Sequence, residues 1–428
     1  MRHLGLDVHQ TFCEVAIREA GKTHSAGRVA TDRESLELFA QSLDPRDEVA
    51  MEVTGPAMEI ARILAPHVTR VVVANAQDVR AISHARVKSD RFDARTLADL
   101  LAAGMLVSVW VPDAETQALR RRVARRASLV RQRTRAKNEI HATLSRALLG
   151  RPPVSDLFGA QGRAWLAEQQ LGGEEAETVA GCLRQIDFLD AEIKALDAKL
   201  AEWAVSSKEA KRLMSIPGVG AGTAMALMAA IGEISRFPDQ RSLVAYFGLD
   251  PKVRQSGEEA PRHGRISKRG NAQARTVLVE AGWMALRSPG PLRAFGERVR
   301  ARRGAQVAAV AVARKIACLA WQLLTKEEDY AFAQPSRVRP KLRRLELAAG
   351  APPLRRGHGG PKVSVSRAER AADRELSERA EAAYRRLVAD WQASGAAKKG
   401  ADATPGRASS GPSTGQAARQ AKAPRPAL

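Results

Sequence analysis

The sequence predicts a chain of several domains: a mixed α/β domain, a helical middle region with a coiled-coil pattern, and a mainly α-helical C-terminal domain followed by a basic tail. The chain has 428 residues, which is too long for a single core. Strand-length apolar runs alternate with helical patterns near the N-terminus, and long helical patterns follow. The predicted domains are 1–112, 113–205 and 206–330, with the tail over 331–428.

Four strands and two helices are predicted in the first domain. The strands are His3–Val8, Thr11–Ile17, Val49–Val53 and Val68–Ala74. The first two strands form a hairpin, and a helix over Glu34–Leu43 separates them from the second pair. Another helical pattern follows Asp90 and stops at Gly104. This order indicates a mixed α/β sheet.

The middle region shows a seven-residue apolar repeat on its second long helix. The two series are Val179, Ile186, Ile193, Leu200 and Cys182, Leu189, Leu196, Trp203. Such a repeat is typical of a coiled coil. Its partner is either the preceding helix of the same chain or a second chain, and the spacing does not decide between them.

The first long helix of this region is rich in basic residues. They are Arg120, Arg121, Arg122, Arg125, Arg126, Arg131, Arg133, Arg135 and Lys137, with no acidic residue among them. A solvated helix normally mixes signs, because like charges at i,i+4 repel each other. The pattern favours a helix that tracks phosphates over one that is merely soluble.

The tail carries much of the positive charge. Residues 331–428 hold 20 Lys and Arg against 8 Asp and Glu. An amphipathic helix is predicted over Ala368–Trp391. The stretch from about Gly395 has no periodic apolar face, so we expect a disordered basic segment there.

The overall composition points to a polyanionic partner. The chain has 69 Lys and Arg against 47 Asp and Glu, a formal charge of +22, and nucleic acid is the commonest partner of such a charge. Aromatic residues make up only 4% of the chain, which argues against stacking platforms as the main binding device.

The cysteines and the apolar runs indicate a cytoplasmic protein that contacts no membrane. Cys13, Cys182 and Cys318 form no C-x-x-C pair, which excludes zinc ribbons and disulfide frameworks. The sequence has no run of eighteen apolar residues and no apolar segment in residues 1–10.

Four carboxylates of the first domain are candidate metal ligands. Asp7 and Glu52 lie inside apolar strands, where an unpaired acid is costly to bury. Asp90 and Asp93 are spaced i,i+3 at a helix start, where the alternative role is capping. If the four converge, they form an oxygen-rich site for Mg²⁺, with two ions expected for in-line phosphoryl transfer.

These acids also carry a family resemblance. The order GLDVH, MEVTG and KSDRFDARTLADLL resembles the DEDD transposases of the insertion-sequence-one-ten family, which includes the pilin-gene invertases. The resemblance implies an RNase H-like (RuvC-like) fold for residues 1–112. It also implies that Asp7, Glu52, Asp90 and Asp93 are the catalytic, metal-binding acids.

A second motif lies in the C-terminal domain. The segment IPGVGAGTAMALMAAIG resembles a helix-hairpin-helix, in which Gly218 and Gly220 belong to the turn. The amides of such a turn can meet a phosphate backbone without reading bases. The alternative is an ordinary turn between helices.

A third motif contains the candidate nucleophile. The segment AYFGLDPKVRQSGEEAPRHGRISKRGNAQAR resembles the signature of the family's C-terminal transposase domain. The family resemblance implies a serine that forms a covalent phosphoserine with DNA. We match this role to Ser256, with Ser267 as the alternative. The basic residues of the segment are expected to hold phosphates: Arg262, Arg265, Lys268 and Arg269.

The resemblance implies a DNA recombinase that excises and inserts its own mobile element. Its implied partners are donor and target DNA, a structured guide RNA encoded by the element, and further copies of the chain in a dimer or tetramer. No G-x-x-x-x-G-K-[ST] loop occurs, as expected of a reaction that needs no ATP. Two alternatives remain: a metal-dependent nuclease or junction resolvase that uses water, and a noncatalytic nucleic-acid-binding regulator.

Overall fold

A computed structural model describes residues 1–83, 89–257, 259–352 and 365–401, without the side chains of 80–83, 263 and 394–401. The chain divides into two compact units. The first unit comprises Met1–Trp203 and Met225–Arg236, and the second comprises Ala204–Ala224 and Phe237–Leu428. The predicted domains 1–112 and 113–205 therefore both fall in the first unit.

The first unit contains a five-stranded mixed sheet of order β3-β2-β1-β4-β5. Its strands are β1 His3–Val8, β2 Phe12–Glu19, β3 Lys22–Ala30, β4 Glu48–Glu52 and β5 Arg70–Ala74. The first three form an antiparallel meander, whereas β1, β4 and β5 run parallel. This arrangement is the RNase H-like fold that the resemblance implied.

The four predicted strands are confirmed, and β3 is an additional strand. Seven of its nine residues are exposed, and its sequence KTHSAGRVA lacks the apolar alternation of a half-buried strand. Edge strands need little apolar surface. For this reason the sequence pattern did not predict it.

Helices connect and cover the strands. They are α1 Arg33–Gln41, α2 Ala57–Leu64, α3 Ala76–Ser83 and α4 Asp90–Ala102, with a short 3-10 helix at Ala65–His67. The helices α1 and α4 were predicted, whereas α2 was not. Leu4, Leu6, Met51 and Leu64 are completely buried between strands and helices, and they form the core of this part.

One glycine lets α4 approach β1 unusually closely. A Cβ atom at Gly5 would lie 2.0 Å from the carbonyl oxygen of Ala94 and 2.6 Å from the amide nitrogen of Ala98. Only glycine fits such a contact. An ion pair of 2.6 Å between Arg18 and Asp99 ties the far end of α4 to β2. Together these contacts fix the start of α4 relative to the end of β1.

The heptad seam is buried within the chain. The helices of this part are α5 Ala114–Arg146, α6 Ala160–Ala167 and α7 Gly173–Ser206. Ile186 and Leu189 of α7 are buried in clusters with Ile140 and Leu129 of α5. Ion pairs join Arg126 to Asp197 and Arg133 to Asp190, so the two helices run antiparallel. The partner of the seam is therefore α5, the first long helix of the same chain.

The elements that follow are mostly helical, as predicted. They are α8 Lys208–Met214, α9 Ala221–Ile231, a 3-10 helix Ile234–Arg236, α10 Gln240–Tyr246, β6 Pro251–Arg254, β7 Arg262–Ile266, α11 Ala272–Ala285, α12 Pro291–Arg303, α13 Ala305–Lys326, α14 Pro335–Ala348 and α15 Arg367–Ala401. β6 and β7 form an antiparallel hairpin.

The helix α13 is the core helix of the second unit. Val312, Ile316 and Ala320 are completely buried. Among the described residues, only α13 is long and apolar enough to cross a membrane, and half of its most apolar window is buried. A central helix of a globular core has the same composition, and its burial here favours that role.

Residues 331–428, predicted to be a basic tail, contain two helices, α14 and α15. The predicted helix over Ala368–Trp391 is confirmed within α15. The buried carboxylate of Glu381 accepts hydrogen bonds of 2.7 Å from the Gly290 amide and from Nε of Arg293, which anchors α15 to α12. Residues 353–364 and 402–428 lie outside the described part of the chain. Most of the segment predicted to be disordered, from about Gly395 onward, therefore lies outside it too.

Candidate active site and nucleic-acid contacts

Three side chains with metal-binding atoms meet where β1 ends and α4 begins. Asp7 is the penultimate residue of β1. His9 follows that strand, and Asp90 is the first residue of α4. Nε2 of His9 lies 3.1 Å from Oδ2 of Asp7 and 3.5 Å from Oδ2 of Asp90. One ligand atom from each residue lies within 4.8 Å of the others. The structure thus brings two of the four predicted acids together.

The other two predicted acids lie beside this group but not within it. Asp93 is one turn further along α4, and its negative charge acts on Asp7. Glu52 is the last residue of β4, and the pairing of Leu6 with Met51 places it next to Asp7 in parallel register. Side chains in register on parallel neighbours share a face of the sheet.

The environment of Asp7 disfavours its charged form. Burial raises the pKa of Asp7, and the charges of Asp93 and Asp90 raise it further, whereas the charge and hydrogen bond of His9 lower it. Repulsion among carboxylates is relieved when a cation binds between them. The group therefore has the electrostatics of a cation site.

His9 was not among the residues predicted from the sequence. Its ring packs on Phe12, with centroids 4.8 Å apart, and its Nε2 faces both acids. The D-x-H spacing in GLDVH was the available signal, because imidazole is a common metal ligand. Two carboxylates and one imidazole fit a divalent cation.

A second buried acid neighbours the site without joining it. Glu14 of β2 pairs with Asp7 in the antiparallel register and is only 2% exposed. The Arg28 hydrogen bond of 2.8 Å lowers the pKa of Glu14 and outweighs the effect of burial. Glu14 also pairs at 3.3 Å with Arg91, which lies between Asp90 and Asp93. Glu14 therefore holds the first turn of α4, and its neutralised charge suits it to a structural role.

The nine basic residues of α5, predicted to track phosphates, fall into two groups: those that make contacts within the protein and those that are exposed. Arg120 donates to the carbonyls of Ala229 and Ala230 at 2.7 and 3.1 Å, and Lys137 lies 4.5 Å from the ring centroid of Phe158. Arg126 and Arg133 pair with acids of α7. The exposed remainder are Arg121, Arg122, Arg125, Arg131 and Arg135. Five of the nine predicted cations of α5 are therefore exposed to solvent.

The two candidate serines have different surroundings. Ser256 is exposed in the loop between β6 and β7, directly before Gly257, which has a φ of +57°. The half-buried Ser267 donates its hydroxyl to Oδ1 of Asp250 at 2.5 Å and accepts from the Arg269 amide at 3.3 Å. Only Ser256 presents its hydroxyl to solvent without a hydrogen bond among the described residues.

The basic residues of this segment surround the hairpin. Arg262 and Arg265 belong to β7, and Lys268 and Arg269 follow it; all four are exposed. Arg262 also pairs with Glu259 at 3.0 Å. The side chain of His263 lies outside the described part. The segment therefore presents positive charge on the same hairpin as Ser256.

The glycine turn between α8 and α9 is tightly packed. Gly218 has a φ of +86°, and a Cβ atom there would lie 2.2 Å from the carbonyl oxygen of Ala281. Glycine is therefore required at this position for packing on α11. Within the described residues, the amides of Gly218 and Gly220 donate no hydrogen bond. The turn thus retains two N–H donors, from which the oxygens of a phosphate can accept hydrogen bonds.

Two family models match the chain in these regions. A DEDD transposase model of IS110 elements, described as Transposase, matches residues 4–148. A model described as Transposase IS116/IS110/IS902 family matches residues 210–297. The first match contains the four predicted acids, and the second contains the glycine turn and both candidate serines.

Comparisons with individual transposases agree with the family models. The chain is 32% identical to the transposase for insertion sequence element IS1111A of Coxiella burnetii, over 57% of this chain and 68% of that protein. It is 29% identical to a probable family 20 transposase of Pseudomonas aeruginosa, over 77% and 98% of the two chains. It is 26% identical to the transposase for insertion sequence element IS1328 of Yersinia enterocolitica, over 65% and 84%.

Proposed function

The chain belongs to the IS110/IS116/IS902 family of transposases, and we propose that it exchanges DNA strands through a covalent phosphoserine at Ser256. It is thus a DNA transposase of a mobile element, and the proposal concerns its chemistry. The meeting of Asp7 with Asp90 carries the proposal. These acids come from distant segments, and the packing of α4 against Gly5 supports their approach.

We propose that Asp7, Glu52, Asp90 and Asp93 hold two Mg²⁺ ions. The family and the donor set indicate a divalent cation, and a carboxylate-rich site suits Mg²⁺. When bound, the ions would stabilise the attacking and leaving oxygens of an in-line displacement. His9 orients Asp7 through the 3.1 Å contact between Nε2 and Oδ2.

In the proposed reaction, Oγ of Ser256 attacks a phosphodiester phosphorus. The new Oγ–P bond replaces one P–O bond, whose oxygen leaves with a proton as the hydroxyl of a free strand end. The proton of Ser256 is released to solvent, since no His-Asp pair adjoins this serine in sequence. A hydroxyl from another strand then attacks the phosphoserine and restores Ser256. The number of phosphodiesters stays constant, so no ATP is consumed.

The exposure of Ser256 supports it over Ser267 as the nucleophile. A nucleophile must reach the phosphate, and an exposed loop position allows this. Ser267 instead uses its hydroxyl to hold Asp250, next to the end of β7. We therefore propose a structural role for Ser267.

We further propose that a structured guide RNA and donor and target DNA bind to the exposed cations. The five exposed arginines of α5 would grip backbone phosphates, and base pairing with the guide would select the sequence. The basic residues around the hairpin would hold the strand near Ser256. Assembly as a dimer or tetramer is part of the proposal, but the α7 seam is already buried by α5.

The test is trapping of a protein–DNA adduct. Purified protein with its co-purified RNA is incubated with labelled donor and target DNA, with Mg²⁺ or with a chelator, and then denatured. We expect an adduct that survives denaturation and is absent in Ser256→Ala and in chelator. Asp90→Asn should slow adduct formation by roughly 100-fold or more, because it removes charge stabilisation of the transition state.

Two matched variants control this experiment. Glu37→Gln removes an exposed carboxylate of α1 that pairs with Arg33 outside the site, and it should keep the adduct. Ser267→Ala should also keep it. Strand cleavage that persists in Ser256→Ala would replace the proposal with a nuclease that uses water. Function that is unchanged in Asp7→Asn and Asp90→Asn would leave only a nucleic-acid-binding regulator.

A further inference from the structure

A basic cavity lies beside the glycine turn of the second unit. Its volume is about 290 Å³, far above the roughly 10–15 Å³ that one water requires. The turn residues Gly218 and Gly220 form one wall, and α14 contributes Arg337, Lys341 and Arg344. The helix α14 lies outside the family match over residues 210–297. The cavity is therefore completed by a part of this chain that the family model does not cover.

Lys341 of α14 binds the backbone carbonyls around the glycine turn. Its ammonium donates to the carbonyl oxygens of Met214, Ile216 and Val219 at 3.0, 3.4 and 2.9 Å. Since an ammonium has three protons, these bonds use all of them. Lys341 thus orders the turn and contributes a fixed positive charge. Burial, together with the charge of Arg337, lowers the pKa of Lys341 to about 8.

The turn residues that line the cavity include two amides without a described hydrogen-bond acceptor. Carbonyls on either side of Gly218 are occupied by Lys341, whereas the amides of Gly218 and Gly220 donate no hydrogen bond within the described residues. A polar group that lines a cavity without a protein partner is satisfied by water or by a ligand. Two such amides beside three cations are suited to an anionic oxygen.

Two of the residues that line the cavity are exposed arginines. Arg337 and Arg344 are exposed and lie two helical turns apart on the face of α14 that carries Lys341. Arg337 is oriented by a 2.7 Å hydrogen bond from Nη1 to Oγ of Ser288. Arg344 makes no ion pair among the described residues. Guanidinium groups in this position suit the oxygens of a phosphate.

A second basic cavity adjoins the first at Arg337. It has a volume of about 130 Å³ and is also lined by Arg370 and Arg374 of α15. Gln334 and Arg337 belong to both cavities. The cations therefore form a continuous track, which we define as the α14 track: Arg344, Lys341, Arg337, Arg370 and Arg374.

We propose that the α14 track binds the backbone of a nucleic-acid strand, with one phosphodiester at the glycine turn and a neighbouring phosphodiester beside Arg370 and Arg374. The amides of Gly218 and Gly220, Arg337 and Arg344 hold the first phosphate, and Lys341 positions the turn. The contacts are to backbone groups, so binding does not depend on base sequence. This inference rests on the proposed function, in that the strand belongs to the element's DNA or to its RNA.

The experiment measures binding without catalysis. The full chain is titrated into fluorescently labelled single-stranded DNA, duplex DNA and RNA of mixed sequence, in chelator, over a range of NaCl concentrations. The test variant is Arg337→Gln with Arg344→Gln. The control is Arg339→Gln with Arg343→Gln, which removes the same charge from the same helix outside both cavities.

We expect the test variant to bind at least one of these nucleic acids roughly tenfold more weakly, since charged hydrogen bonds are lost. The slope of log affinity against log salt should fall by about 1. The control should keep both values. Weakening confined to DNA or to RNA would identify the strand, and competition by inorganic phosphate would report the same contacts.

Two results would overturn the proposal: unchanged affinity in the test variant for every nucleic acid, or an equal loss in the control. Thermal unfolding checks that each variant is folded. Lys341→Met provides a second measurement, with a lower melting temperature and weaker binding expected together. Because no covalent adduct is measured, failure of this inference is distinguishable from failure of the phosphoserine mechanism.

Discussion

At the residue scale, neighbours decide which polar groups are available for chemistry. Asp7 and Glu14 face each other in register on β1 and β2, yet among the described residues Glu14 pairs with arginine whereas Asp7 bonds to His9. Ser256 and Ser267 lie close in sequence, yet Asp250 binds only the hydroxyl of Ser267. Asp7 and Ser256, which are not held by an arginine or by Asp250, are the members of each pair proposed to act in the reaction.

The hydroxyl of Ser215, in contrast, both donates and accepts a hydrogen bond within the protein. Its Oγ donates to the Arg212 carbonyl at 2.5 Å and accepts from the Tyr330 amide at 2.9 Å. Ser215 is 5% exposed and lies at the entrance to the glycine turn. The side chain therefore ties the turn to the end of α13.

Ser215→Ala is expected to lower the free energy of unfolding by about 1–3 kcal/mol, because the buried Tyr330 amide loses its acceptor. Chemical denaturation followed by circular dichroism measures the change. Ser256→Ala, an exposed loop variant, serves as the control and should stay within about 0.5 kcal/mol of the wild type. Equal stability of Ser215→Ala and wild type would contradict the assigned role.

At the element scale, the two long helices of the first unit stabilise each other. The apolar seam of α7 faces α5, and ion pairs flank the seam at Arg126 and Arg133. These half-buried pairs add little stability, since their charges remain close to solvent. The buried apolar side chains supply most of the stabilisation.

Ile186→Ala is expected to destabilise the first unit by about 2–5 kcal/mol, because Ile186 is completely buried and its truncation leaves a cavity. Phe188 on the same helix is 63% exposed, so Phe188→Ala should change stability by less than about 0.5 kcal/mol. Thermal unfolding of both variants makes the comparison. A larger effect at Phe188 than at Ile186 would place the stabilising face elsewhere.

At the scale of the whole molecule, each unit contains a buried carboxylate held by arginine. Glu14 anchors α4 in the first unit. In the second, burial favours a higher pKa for Glu381, but the bonds from Arg293 and from the Gly290 amide lower it overall. A depressed pKa in the folded state stabilises the protein above the ordinary pKa near 4.5, and this stability is lost as the pH falls through the folded-state pKa.

We therefore expect both units to lose stability as the pH falls below about 4.5, the ordinary pKa of these carboxylates. The variant Glu14→Gln with Glu381→Gln should be less stable than wild type at pH 7 but should show a smaller further loss on acidification. Melting temperatures across this pH range test the expectation. Glu37→Gln, at an exposed carboxylate, should follow the wild-type profile, and a double variant with the wild-type pH dependence would contradict the assignment.

Local pattern was sufficient for much of the fold. The strand-length apolar runs of β1, β2, β4 and β5 and their order with the helices predicted the mixed sheet, and the seven-residue repeat predicted the buried face of α7. These features are visible because a strand repeats every two residues and a helix about every 3.6. The polar edge strand β3 has no such repeat, and only pairing with β2 defines it.

The candidate site was predicted in part. The acids at positions 7, 52, 90 and 93 were identified from their order along the chain, but His9 and the neutralisation of Glu14 depend on which side chains face each other across elements. The α14 track is a further case. From the sequence, its lysine and arginines are typical of a solvent-exposed helix face. The structure shows that Lys341 instead binds the carbonyls of the glycine turn.

The sequence by itself determined the family, the periodic elements and the residue types able to hold a divalent cation. The tertiary structure decided which partner covers the α7 seam, which serine keeps a free hydroxyl, and which cations are consumed by internal contacts. The physical reason is that periodicity and composition are local properties of the chain. Hydrogen bonding and burial instead depend on contacts between distant segments, such as Lys341 with Val219 or Glu381 with Gly290.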